Sequence, residues 1–169
     1  MTYFFFLIGP AGSGKTTVSK KIANIFNYKI IECDNFHSFK NIKLMSQGIK
    51  LEYSDRLPWL KRINKKLKSH TKSNINYLIS CSALKKSYRK ILSKDLSNIF
   101  FIYLKCSKSV LLKRIKLRKH FFPTILLNDQ IQKFQPSKDL ITINANKKLN
   151  LVIKNVKKKI DTILKRNTL

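Results

Sequence analysis

The sequence predicts an α/β domain with a parallel sheet of about five strands flanked by helices, on three observations. Short apolar runs of strand length alternate with helical patterns along the whole chain. The first run, residues 3–8, passes directly into Gly9, Pro10, Ala11, Gly12, Ser13, Gly14, Lys15 and Thr16, which fit the pattern G-x-x-x-x-G-K-[ST] at every fixed position. No repeat, linker or low-complexity block interrupts the 169 residues, so a single domain over 1–169 is expected.

That loop carries the chemistry. Its glycines let backbone N–H groups converge on a phosphate, and the helix that opens near Gly14 adds partial positive charge. Lys15 can then reach the β- and γ-phosphates of a nucleoside triphosphate, and the Thr16 hydroxyl can hold Mg²⁺. ATP and Mg²⁺ are therefore the expected cofactors.

Composition narrows the setting. No stretch approaches the ~18 apolar residues of a membrane span, and the apolar start lacks the preceding basic segment of a signal peptide. Cys33, Cys81 and Cys106 are odd in number and widely separated, which suits neither a disulfide framework nor a metal motif. A cytoplasmic protein is expected. Lys and Arg total 36 against 8 Asp and Glu, a net charge of +28. The lysines are spread along the chain with abundant Asn, Ile, Phe and Tyr, all encoded by A/T-rich codons. Drift in base composition explains this better than a nucleic-acid partner, with only non-specific polyanion binding at low salt expected.

Taken in order, the first helix covers about 14–26 and a second strand about 29–32. That strand delivers Asp34 to the carboxyl end of the sheet, where ligands of open α/β sheets bind; a carboxylate there can orient an attacking hydroxyl. A short helix over 41–51 closes at Gly48. The next begins near Asp55, with Leu60, Ile63 and Leu67 inward and a lysine-rich face outward. Arg56 is expected ahead of that helix proper, beside the packing anchor Trp59, where a guanidinium can hold a carboxylate in two-pronged fashion. The third strand is 77–81, and the helix after it places Lys85 and Arg89 on one face. Residues 99–104 form the strongest strand signal, and the following helix carries Arg114 and Arg118 one turn apart. A further helical piece covers 124–134, so a small lid over phosphates is expected at about 114–136. A fifth strand at 140–144 and a last helix over about 147–165 complete the chain.

These blocks resemble those of the bacterial-type gluconokinases, small P-loop sugar-acid kinases related in fold to shikimate and nucleoside-monophosphate kinases. The likeness rests on GPAGSGKT at 9–16, CDNFHSFKNIKLMSQG at 33–48, LEYSDRLPWL at 51–60, CSALKKSYR at 81–89, FIYLK at 101–105 and RIKLRKHFFP at 114–123. It implies transfer of the ATP γ-phosphoryl group to the 6-hydroxyl of D-gluconate, and a homodimer. By the same likeness Lys15 and Thr16 hold phosphates and Mg²⁺, and Asp34 is the catalytic or substrate-orienting carboxylate. His37, Arg56, Lys85 and Arg89 fall near the sugar acid, and Arg114 and Arg118 clamp the transferring phosphoryl group. Departures from the family pattern are Cys33 for Gly, Ser38 for Pro, Tyr53 for Asp, a missing Gly before His120, and a lost acid at Gln135-Pro136. Two rival readings are a kinase for shikimate or a nucleotide, and a basic ATP-binding protein associated with nucleic acid and lacking kinase activity.

Overall fold

The protein is described by a computed structural model covering residues 1–117 and 123–166. Five parallel strands, β1 (Phe4–Ile8), β2 (Lys29–Glu32), β3 (Tyr77–Cys81), β4 (Ile99–Lys105) and β5 (Leu140–Asn144), lie in the order β2-β3-β1-β4-β5. Among the described residues seven α-helices connect or flank them: α1 (Lys15–Phe26), α2 (Phe39–Ser46), α3 (Tyr53–Lys68), α4 (Lys86–Ser93), α5 (Lys108–Lys116), α6 (Thr124–Gln132) and α7 (Leu149–Arg166). No helix among the described residues is long and apolar enough to cross a membrane.

The sheet is central because its strands β1 and β3 are buried on both faces, as parallel strands covered on two sides are. Successive side chains of β1 alternate between two cores. Phe4, Phe6 and Ile8 pack with Trp59, Leu60, Ile63 and Leu67 of α3, and with Tyr88 and Leu92 of α4. Phe5 and Leu7 pack with Val18 and Ile22 of α1, and with Val152, Val156 and Ile160 of α7. β1 lies between β3 and β4, so the loop after it opens at the middle of the sheet's carboxyl edge. β2 ends two strands away in a 3-10 turn, Cys33–Phe36, which carries Asp34 to the same edge.

Three helix starts differ from the sequence reading, each for a local reason. α2 begins at Phe39 because the Ser38 hydroxyl caps it, accepting from the Asn41 amide at 3.2 Å. α3 begins at Tyr53 because the Asp55 carboxylate accepts from the Glu52 amide at 3.1 Å, half of a capping box. Arg56 therefore belongs to the first turn of α3 and does not precede it. α4 begins only at Lys86, after Ala83 has taken a left-handed backbone angle of 31°. At the other end of α2, which stops at Ser46, Gly48 at φ 75° turns the chain out of the helix, closing it as expected.

Trp59 is fully buried, and its indole N–H donates to the Cys33 carbonyl at 2.8 Å. This fastens α3 to the turn that carries Asp34. Trp59→Phe keeps most of the packing and strands that carbonyl, so a loss of about 1–3 kcal/mol in urea unfolding is expected; an unchanged midpoint would show that the hydrogen bond adds nothing.

Candidate functional site

The loop between β1 and α1 allows no side chain at its tight points. Gly12 sits at φ 82°, and a Cβ there would come within 3.0 Å of the Leu111 carbonyl and 3.1 Å of Ile115. α5 thus packs directly on the loop backbone. Lys15 folds over the loop, its ammonium donating to the carbonyls of Gly9 (2.9 Å) and Pro10 (3.0 Å).

Two cavities open on this loop. The smaller, about 240 Å³, is lined by Gly12, Ser13, Gly14, Thr17, Arg114 and Ala145 among others. Arg114 lies here, donating to the Ala145 carbonyl at 2.9 Å and to Cys106 Sγ at 3.4 Å. The larger, about 350 Å³, is lined by Ala11, Lys15, Thr16, Asp34, His37 and Arg56, with Asp129 and Gln130 of α6 opposite. That volume is in the range of small-molecule sites. Of the residues expected at the sugar acid, Asp34, His37 and Arg56 therefore meet in one cavity with the loop lysine. Arg118 and His120 lie outside the described residues.

His37 is held from both sides. Its ring stacks on Trp59 at 4.4 Å between centroids, and Nδ1 lies 3.4 Å from Asn41 Nδ2, which also donates to the Asp55 carbonyl at 2.9 Å. An amide nitrogen has only hydrogens to offer, so Nδ1 accepts and Nε2 carries the ring proton. Burial holds the His37 pKa down at about 4, aided by Arg56 and Arg62 and opposed by Asp34. Neutral His37 is thus an Nε2–H donor.

Thr16 donates from Oγ1 to Glu32 Oε2 at 3.3 Å, while Glu32 Oε1 is buried with no protein partner. A hydroxyl and a carboxylate beside a phosphate loop, with one oxygen uncommitted, fit a hard divalent cation such as Mg²⁺. Glu32 was not singled out from sequence, because a carboxylate at a strand end has no distinctive pattern.

Two expected substrate residues are placed elsewhere. Arg89 is 2% exposed. It donates through Nη1 to the carbonyls of Ala83 (3.1 Å) and Leu84 (3.0 Å), and through Nη2 to the Gln135 carbonyl (2.6 Å) and Ser137 Oγ (2.9 Å). It straps the end of the α6 segment to the loop after β3, and that loop is what delays α4. Lys85 is the residue before α4, with its ammonium 5.8 Å from the centre of the Tyr88 ring, and it lines neither cavity. The i, i+4 spacing suggested one shared face; the late helix start separates the two.

Asp129 is the further site residue that sequence reading missed. It is 7% exposed, pairs with Lys133 at 2.9 Å and Lys50 at 3.7 Å, and so links α6 to the α2–α3 connection. One signal was available: it is the sole acid in residues 114–136.

Comparison with known proteins gives the family and the fold. The Shikimate kinase family model matches residues 11–167. The thermosensitive gluconokinase of Escherichia coli is 40% identical over 147 residues, covering 84% of this chain and 79% of that protein. The chain belongs to the gluconokinase family. The thermoresistant gluconokinase of Escherichia coli is 35% identical, with 89% of each chain covered. A crystal structure of a gluconokinase from Sinorhizobium meliloti superposes with a TM-score of 0.87 at 31% identity, covering 98% of this chain and 95% of that one. A deoxyadenosine kinase from M. mycoides, 14% identical with a TM-score of 0.69, shares the fold. The gluconokinase match is an ATP-dependent kinase match, and the five-stranded parallel sheet is that of P-loop kinases.

Two outcomes follow from the site's geometry. Arg89→Ala removes a donor from three backbone carbonyls and leaves those of Ala83 and Gln135 without a partner among the described residues, the Leu84 carbonyl keeping the Gln135 amide, so unfolding free energy should fall by roughly 3 kcal/mol in urea titration; an unchanged value would leave the strap without weight. His37 stays neutral in the fold while an unfolded histidine protonates near 6.5. Its contribution is therefore complete above pH 6.5 and is lost as pH falls toward about 4. The melting-temperature gap between the wild type and His37→Gln should narrow across that window and stay flat above it.

Proposed function

We propose that the chain transfers the γ-phosphoryl group of ATP to the 6-hydroxyl of D-gluconate, giving 6-phosphogluconate and ADP. The observation that carries this reading is the 350 Å³ cavity, in which the phosphate loop's Lys15, Asp34, His37 and Arg56 face one space. Gluconokinases from several organisms as relatives, at 40% and 35% identity for the two from Escherichia coli, support gluconate over shikimate.

In this reading the nucleotide enters from the Arg114 side and the sugar acid from the Asp34 side of the same loop. Arg56 and the Nε2–H of His37 suit the anionic and hydroxyl groups of a sugar acid. Asp34 takes no protein hydrogen bond through its carboxylate among the described residues, and it orients the acceptor hydroxyl and draws off its proton. The hydroxyl oxygen forms the new bond to phosphorus as the bond to the β,γ-bridging oxygen breaks. Lys15 leaves the Gly9 and Pro10 carbonyls to offset charge on the transferring group. Thr16 and Glu32 would hold Mg²⁺, which supplies charge neutralisation on the phosphate oxygens. Arg114 braces the nucleotide side through its tie to Ala145, and Arg118 is assigned to the phosphoryl clamp by resemblance alone. Lys85 and Arg89 have no direct contact with the acid in this scheme. A homodimer in the cytoplasm belongs to the same reading, and light scattering on the purified protein checks the dimer.

A coupled ADP-release assay tests the function. Gluconate should stimulate ATP turnover and shikimate should not; the reverse would overturn the substrate assignment. Lys15→Ala and Asp34→Ala should each lower kcat by at least ~100-fold. Near-normal turnover of Asp34→Ala would remove that carboxylate from the reaction.

A further inference from the structure

A phosphate loop works by aiming backbone N–H groups at anionic oxygen. In this structure one of those groups already has an oxygen. The Ala11 amide, third residue of the loop, donates to Gln130 Oε1 at 2.7 Å, across 119 residues of chain. Gln130 lies on α6, and its side chain lines the acceptor cavity together with Ala11, Lys15, Thr16 and Asp34. The amide of Ala11 can only donate, so the oxygen of the carboxamide is fixed toward the loop and its NH₂ is turned away.

The position is held from both sides. Next to Gln130, Asp129 joins Lys50 at 3.7 Å. The segment ends at Gln135, whose amide donates to the Leu84 carbonyl at 2.9 Å and whose side-chain oxygen accepts from the Lys86 amide at 2.9 Å. Arg89 grips the Gln135 carbonyl at 2.6 Å. At its start, Pro123 and Ile125 lie against Gly48 at 3.6 and 3.8 Å from where a Cβ would stand. Helix α6 is thus anchored at both ends, and Gln130 in its last turn reaches the loop.

We propose that Gln130 is a phosphoryl-contacting residue of this enzyme: its carboxamide oxygen stands in for an anionic oxygen on the Ala11 amide, and the transferring γ-phosphoryl group replaces it there. The terminal torsion of a glutamine side chain is soft and roughly two-fold. A half-turn presents the NH₂ of Gln130 to the incoming oxygen without moving α6. The same side chain then closes the loop amide when no phosphoryl group is present and donates to that group when it is. Lys15, folded on the Gly9 and Pro10 carbonyls, makes the parallel change from loop to ligand. The inference rests on ATP as phosphoryl donor, and it assigns a γ-phosphoryl contact to a residue on the acceptor side of the site.

The test separates the γ-phosphoryl group from the rest of the nucleotide. ADP and a non-hydrolysable ATP analogue are titrated by calorimetry into the wild type, Gln130→Glu and Gln130→Met, each first checked for an unchanged melting profile. In Gln130→Glu a carboxylate occupies the Ala11 amide and repels the third phosphate. Binding of the analogue should weaken on the order of 10-fold, the scale of one charge-assisted hydrogen bond, with ADP affinity unchanged. Gln130→Met removes both oxygen and NH₂. It should bind the analogue at least as tightly as the wild type while kcat with gluconate falls on the order of 10-fold. Equal weakening of ADP and analogue in Gln130→Glu, or no change in either, would overturn the assignment. A wild type that binds ATP yet does not turn it over with gluconate would sink the acceptor reading and leave the nucleotide titrations to judge Gln130.

Discussion

The path from β1 into α1 governs the rest of the molecule. A loop whose N–H groups must point at one spot needs its two ends held rigidly and its surface bare. β1 supplies the first condition by running between β3 and β4, with Phe4 to Ile8 buried on both faces. Glycine supplies the second, and at Gly12 the backbone of α5 comes so near that even a methyl group would collide. Everything chemically active is then arranged by distance from that turn. Asp34 and His37 arrive from the turn after β2, Arg56 and the Trp59 that His37 stacks on from α3, and Asp129 and Gln130 from α6.

Acid placement is informative in so basic a chain. Of eight Asp and Glu residues, Asp34 and Asp129 line the acceptor cavity and Glu32 stands beside Thr16. The remaining positive charge sits largely on solvated faces such as that of α3, where Lys61, Lys65 and Lys66 are exposed while Leu60, Ile63 and Leu67 are buried. The bias in composition thus spares the positions where the proposed chemistry needs a carboxylate, and it thickens the shell elsewhere.

The middle strands were legible because a strand buried on both faces must be a nearly unbroken apolar run, as β1 and β3 are, and β2, β3 and β5 begin and end at the residues expected. The loop motif was legible from its spacing and Asp34 from its place after a strand end, while the family resemblance set His37 and Arg56 beside it. Helix starts were less so. That of α4 depends on Arg89 gathering carbonyls from residues as distant as Gln135, and no local pattern encodes a contact of that separation. For the same reason Arg89, expected near the sugar acid, is a buried strap instead. Gln130 carries no charge and follows no motif, so only the fold could show what it touches.

The two cavities open on opposite flanks of a single stretch of backbone, Ala11 and Lys15 facing one and Gly12 to Gly14 the other. With the nucleotide and the sugar acid placed as proposed, each has its own mouth, so neither must depart before its partner arrives. Such a layout calls for a ternary complex assembled in either sequence and for direct passage of the phosphorus centre from donor to acceptor, with its stereochemistry inverted once. A ping-pong cycle through a phosphorylated side chain has no place in it.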